Sequence, residues 1–165
     1  NNAGSELNKS YHETTLDEVR NLYDLRGAIF AMACASAARR VGAGHEPELT
    51  DLLVQNLDQM RMTHAQADTT RYYALNIEFH DLLLRGAGNP KAKTMYDNLV
   101  KEMHLFRRKG LSIASNIARS IDEHDAITQA VATGDAEAAR RAALDHIVGG
   151  FSRYITMIEA TPAGG

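Results

Sequence analysis

The sequence predicts an all-α fold, an antiparallel bundle of about six helices around a central cavity. Apolar residues recur at helical spacing almost everywhere, and strand-like alternation is nearly absent. Start and stop signals for helices, GAG, GAGNP and a Gly-Asp pair, also fall at short intervals, which makes successive helices antiparallel neighbours. A chain of 165 residues is the size of one domain and can bury one sizeable core.

Each element has a local reason. Residues 1–14, NNAGSELNKSYHET, are polar and show no period, so they are expected to be a linker or a cloning remnant, with order from Thr15. Thr15–Leu16–Asp17–Glu18 reads as a capping box for a first helix that runs to about Val41. A second helix is expected after Pro47, with that proline in its first turn, ending near Ala65. A third should span about residues 69–87. Asn89 and Pro90 suit the cap and first position of a fourth, running to about Lys109. A fifth is expected over about 113–133. Gly134-Asp135 should then stop it and cap a sixth from Ala136 to about Ile158, followed by a flexible tail over 161–165.

Composition narrows the function. A net charge of -3 and a pI near 6.2 argue against a polyanion-binding surface over the whole chain. The single cysteine, Cys34, sits in IFAMACASAARR and reads as a small core residue in a reducing, cytoplasmic setting. The longest apolar run, Ala28 to Ala38, falls short of the roughly 20 residues that span a bilayer, and no signal peptide or anchor is visible. No membrane partner is expected.

Three histidines fall on inward faces. In NIEFHDLLL, Asn76 and His80 stack four residues apart on the same side as Leu83, Leu84 and Ala87. Ile117, His124 and Val131 recur every seven residues along the fifth helix. In the sixth, Ala139, Ala142 and Ala143 lie beneath His146, where small side chains predict a cavity. Imidazoles suit a Zn, Ni, Cu or Fe ion, and three of them with one oxygen donor leave a position open for water or an anion. The bland alternative is three core histidines, each satisfied by one partner. His12, His45, His64 and His104 carry no expected role.

The segments LYDLRGAIFAMACASAARR, NIEFHDLLLRGAGNP and EHDAITQAVATGDAEAARRAALDHI, in that order, resemble the effector-binding FCD domain of the FadR subfamily of GntR transcription regulators over about residues 16–158. The resemblance implies a divalent transition metal, Zn or Ni, held at Asn76, His80, His124 and His146 beside a small carboxylate effector. It also implies a homodimer that meets DNA only through a winged helix-turn-helix domain. That domain is expected to be absent here, because only residues 1–14 precede Thr15, and the chain is read as a fragment of a regulator. Two positions depart from the family pattern: its aspartate is Asn76, and a frequent glutamate is Phe30.

Arg26 in LYDLRGAIF tilts toward the core and matches the family's first-helix arginine; its fork suits a carboxylate. Arg107 shares a stripe with Leu99, Met103 and Phe106 and is a second candidate. Tyr73, seven residues before His80, can line the same pocket. No catalytic residue is expected. The adjacent pair His124-Asp125, with His80 and Asp145, leaves a helical HD phosphohydrolase as an alternative reading, although neighbours on a helix diverge by about 100°. A metal-free helical dimerisation module is the other.

Overall fold

Glycine, proline and short polar residues set most helix ends in this chain. A computed structural model describes residues 3–103 and 114–160. Among these it has six helices and no strand: α1 (Ala3–Gly42), α2 (Leu49–Ala65), α3 (Thr69–Gly86), α4 (Pro90–Met103), α5 (Ala114–Ala132) and α6 (Ala136–Ala160). Asn89 caps α4 by accepting from the Ala92 amide at 3.2 Å, and Asp135 caps α6 by accepting from Ala138 at 3.0 Å. Asp68 does the same for α3 through the Arg71 amide.

Two boundaries differ from expectation. Helix α1 begins at Ala3 and passes through Thr15, so the supposed capping box lies inside a helix. An apolar period reports the face a helix buries, not helicity itself, and Glu6, Leu7 and Lys9 are good helix formers. Pro47 lies ahead of α2 rather than in its first turn; the helix starts at Leu49 with Glu48 as a cap that makes no side-chain bond.

Gly88 and Gly134 follow helix ends with φ of 68° and 72°, the left-handed region where a Cβ is penalised. Ala67 ends α2 in the same way with φ 56°, and it has a Cβ.

Helix α1 packs against α3, α4, α5 and α6, while α2 packs on α3 and α5. It runs antiparallel to α6, for Tyr23 meets Phe151 near one end and Gly42 approaches Gly134 at the other. Around residues 33–38 of α1 the interior is apolar: Ala33, Cys34, Ala37 and Ala38 pack with Leu53, Leu83, Val131 and Ala139, all fully buried. Around residues 23–30, midway along α1, the interior becomes polar, with Arg26, Asn76, His80, Ser120 and His146 buried.

Candidate metal centre

The inward stripes of α3, α5 and α6 converge midway along the bundle. His80 Nε2 lies 3.1 Å from His146 Nε2, and His124 Nε2 lies 3.2 Å from the same atom. All three side chains are buried, and they form a group able to hold a metal ion. Phe30 stacks on the His80 ring at 4.4 Å, and Phe79 packs on His124 at 4.4 Å, so rings as well as hydrogen bonds fix the imidazoles.

Each Nδ1 has its own partner. That of His146 donates to Glu123 Oε1 at 2.8 Å, and Arg153 holds both oxygens of Glu123, at 3.1 and 2.8 Å. His124 Nδ1 meets Met60 Sδ at 3.1 Å. His80 Nδ1 meets the Tyr96 hydroxyl at 2.7 Å, and Tyr96 also accepts from Arg26 Nε at 2.9 Å. These contacts leave the Nε2 atoms facing one another.

Electrostatics favour neutral imidazoles at His124 and His146. Burial holds the His124 imidazole well below its ordinary pKa, and His146 and Arg153 lower it further. Burial also lowers His146, with Arg26 and Arg153 adding to the effect and the bond to Glu123 opposing it. For Glu123, burial favours the neutral form, but the bonds from His146 and Arg153 outweigh it and hold the carboxyl below its usual value. Tyr72, buried and bonded to Ser120 Oγ at 2.7 Å, is pushed up to about 12.

The donor set fits a divalent ion. With its Nδ1 proton given to Glu123, His146 presents one Nε2 lone pair to two neighbouring nitrogens. One lone pair accepts one good hydrogen bond, so the second contact is poorly satisfied by protons alone. An ion would take all three lone pairs. Asn76 adds a donor: its Oδ1 is buried without a hydrogen-bond partner among the described residues, and its side chain lines two small cavities, one shared with His146 and one with His80. An orphaned buried carbonyl oxygen is costly unless something outside the chain engages it.

Arg26 lines both cavities and is 2% exposed, yet among the described residues no carboxylate pairs with it. The cavity shared with His146, about 40 Å³, is bounded by Tyr23, Tyr73, Ser120, Gly150, Arg153 and Tyr154 as well. This space opens on the Gly150 side of His146. The alanines expected to leave room do not do so, because Ala139 and Ala143 are packed to zero exposure against their neighbours.

A family model described as FCD domain matches residues 21–149. The chain belongs to the FCD family. FCD domains are the effector-binding domains of GntR-family transcription regulators. Comparison with curated proteins gave no match. Among the described residues no helix is long and apolar enough to cross a membrane.

In this FCD domain, then, the structure brings together His80, His124 and His146, with Asn76, Arg26 and Tyr73 along the adjoining cavities. Arg107 lies outside the described residues. Sequence reading missed Glu123, Tyr96 and Arg153, the groups that hold the histidines and Arg26. Glu123 had one available signal: it precedes His124, so on α5 it sits about 100° off the inward stripe, on the flank that faces α6. Asp125, on the other flank, is engaged at the surface by Arg61 at 3.3 Å and by Gln129. Asp125 is not part of the group of described residues able to hold a metal ion.

Proposed function

We propose that this FCD domain senses a small carboxylate through a divalent transition metal, Zn or Ni, held by His80, His124 and His146 with Asn76 Oδ1 as a further donor. The observation that carries the reading is the convergence of three Nε2 atoms whose other ring nitrogens are already engaged, by Glu123, Tyr96 and Met60. When bound, the ion supplies a Lewis-acidic position for an oxygen of the effector. Arg26 gives the second half of the recognition. A buried guanidinium that pairs with no carboxylate among the described residues, opening on a cavity beside the histidines, favours an anion, and its fork fits a carboxylate. Tyr73 and Ser120 offer hydroxyls on the same walls.

The chain's residues also provide a path for a signal. A carboxylate on Arg26 alters the donor that Tyr96 accepts from, and Tyr96 in turn holds His80. Metal and effector are therefore coupled, each strengthening the other by the same factor. In a cytoplasmic regulator working as a homodimer, the effector would act by favouring one relation between two DNA-binding domains.

Elemental analysis of protein purified without chelator tests the reading. About one transition ion per chain is expected, and His80→Ala, His124→Ala and His146→Ala should each remove most of it while helical circular dichroism persists. Metal-free wild type that shows no thermal shift with Zn or Ni would refute the centre.

A further inference from the structure

Two cavities reach the histidine cluster from different sides. One touches His146 and is walled largely by α6. The other, about 50 Å³, touches His80 and lies between α3 and α4, where Ile77, Asp81, Asp97 and Val100 complete its walls. Arg26 and Asn76 are the residues common to both linings, so these two side chains stand between the cavities. Asn76 is 5% exposed and its amide oxygen has no hydrogen-bond partner among the described residues, so each cavity ends on a buried donor with nothing bound to it.

The two linings differ in charge. Around the His146 cavity the charged groups are the guanidiniums of Arg26 and Arg153, and among the described residues no carboxylate is part of its wall. Around the His80 cavity Asp81 and Asp97 stand at the outer side, both partly open to solvent. Lys93 Nζ sits between them, 3.2 Å from Asp81 Oδ1 and 2.6 Å from Asp97 Oδ2, and so ties α3 to α4 beside the mouth. Arg85 also reaches Asp81, at 3.7 Å, but its side chain is 69% exposed and water screens its charge. An ammonium held between two carboxylates marks a place that favours a cation. Its flexible stem lets Lys93 swing out to water when a stronger cation arrives. A 2+ ion coming from the Gly150 side meets guanidiniums first, whereas one coming between α3 and α4 meets carboxylates, and clefts lined by one sign of charge draw in the opposite sign.

We propose that the metal ion enters and leaves between α3 and α4, exchanging with the Lys93 ammonium at Asp81 and Asp97 and passing Asn76 to reach the histidines, while the cavity on the Gly150 side is left to the carboxylate. The proposal rests on the metal centre put forward above and adds the route to it. Ligands of opposite charge then reach one centre through separate mouths, each lined to favour its own.

Exchange rates of Zn test the route. Transfer of bound Zn from the loaded whole chain to an excess of chromophoric chelator gives the release rate, and stopped-flow reloading of the stripped protein gives the loading rate. Ile77 is 51% exposed at the α3–α4 mouth, so Ile77→Trp covers that mouth without entering the core. It should slow loading and release alike, by about tenfold or more, because each passage then requires the ring to move aside, and the affinity should hold. A Cβ on Gly150 would stand 3.9 Å from Arg153 Nη2 and from Tyr23 Cε1, an ordinary contact, so Gly150→Leu fills the other mouth instead and should slow Zn far less. Asp81→Asn combined with Asp97→Asn should lower the loading rate by about tenfold at low salt and flatten its dependence on ionic strength. Lys93→Gln should raise that rate. Circular dichroism and Zn stoichiometry equal to wild type verify that each variant is folded. Slowing by Gly150→Leu with Ile77→Trp indifferent would overturn the route and send the ion through the carboxylate's cavity. Rates indifferent to both substitutions would overturn it in favour of a wider opening of the bundle. Wild type that takes up no Zn would refute the centre and the route together, whereas tightly bound Zn whose rates ignore α3 and α4 would refute the route alone.

Discussion

The bundle interior along α1 has two halves of different kinds. Around residues 33–38 it consists of alanine, leucine and valine packed to zero exposure, and its buried groups need nothing from outside the chain. Around residues 23–30 it holds a cluster of histidines and, among the described residues, an arginine that no carboxylate pairs with and an amide oxygen without a partner. One end supplies stability. The other holds polar groups in an arrangement that solvent-free packing alone leaves unsatisfied, and such arrangements persist where the rest of the fold enforces them.

That comparison can be broken most severely at Leu53. It is fully buried in the apolar half, and Leu53→Ala should cost about 2–5 kcal/mol of unfolding free energy from lost transfer energy and a residual cavity. Urea titration with and without metal should show the same loss, while metal stoichiometry below the transition stays that of wild type. A loss seen only in one metal state would mean that the halves are not energetically separate.

Glu123→Gln attacks the polar half instead. The amide still accepts from His146 but gives up its charge-assisted bonds to His146 and Arg153. Loss of such a partner lowers metal affinity by about 10- to 100-fold. Competition against a chromophoric chelator should record this drop, with far less effect on the urea midpoint of metal-free protein than Leu53→Ala has. Unchanged affinity would reduce Glu123 to a surface salt bridge.

The smallest expected effect lies at Ala67, in the turn between α2 and α3. Its φ of 56° penalises a Cβ, so Ala67→Gly should stabilise the protein by a few tenths to about 1 kcal/mol despite the greater freedom of glycine when unfolded. A small rise in melting temperature, with metal affinity unaltered, is the readout; a fall would mean that the left-handed turn is not strained.

The fold was legible because apolar period and turn chemistry are local properties. Asn89, Pro90 and Gly134-Asp135 marked real helix ends, and the inward stripes of α3, α5 and α6 were visible one helix at a time. What stayed hidden involves pairs distant in sequence. Tyr96 joins Arg26 and His80 across separations of 70 and 16 residues, and nothing within α4 distinguishes it from another buried tyrosine. Arg153 lies two turns beyond His146 and becomes meaningful only once α5 brings Glu123 alongside. The start of α1 was misplaced for a different reason, since a stretch without an apolar face gives periodicity nothing to detect.

The glycine contact at the far end of α1 has a mechanical consequence. A Cβ on Gly134 would lie 3.1 Å from the Gly42 Cα, so the two backbones touch where α1 ends and the α5–α6 turn begins. Close backbone contact of this kind fixes the two helices against sliding at that point. Gly42 then acts as a fulcrum, Arg26 sits about 24 Å along the arm, and Ala3 about 58 Å along it. By that geometry, a tilt of a rigid α1 that displaced Arg26 by 1 Å would carry Ala3 through about 2.4 Å.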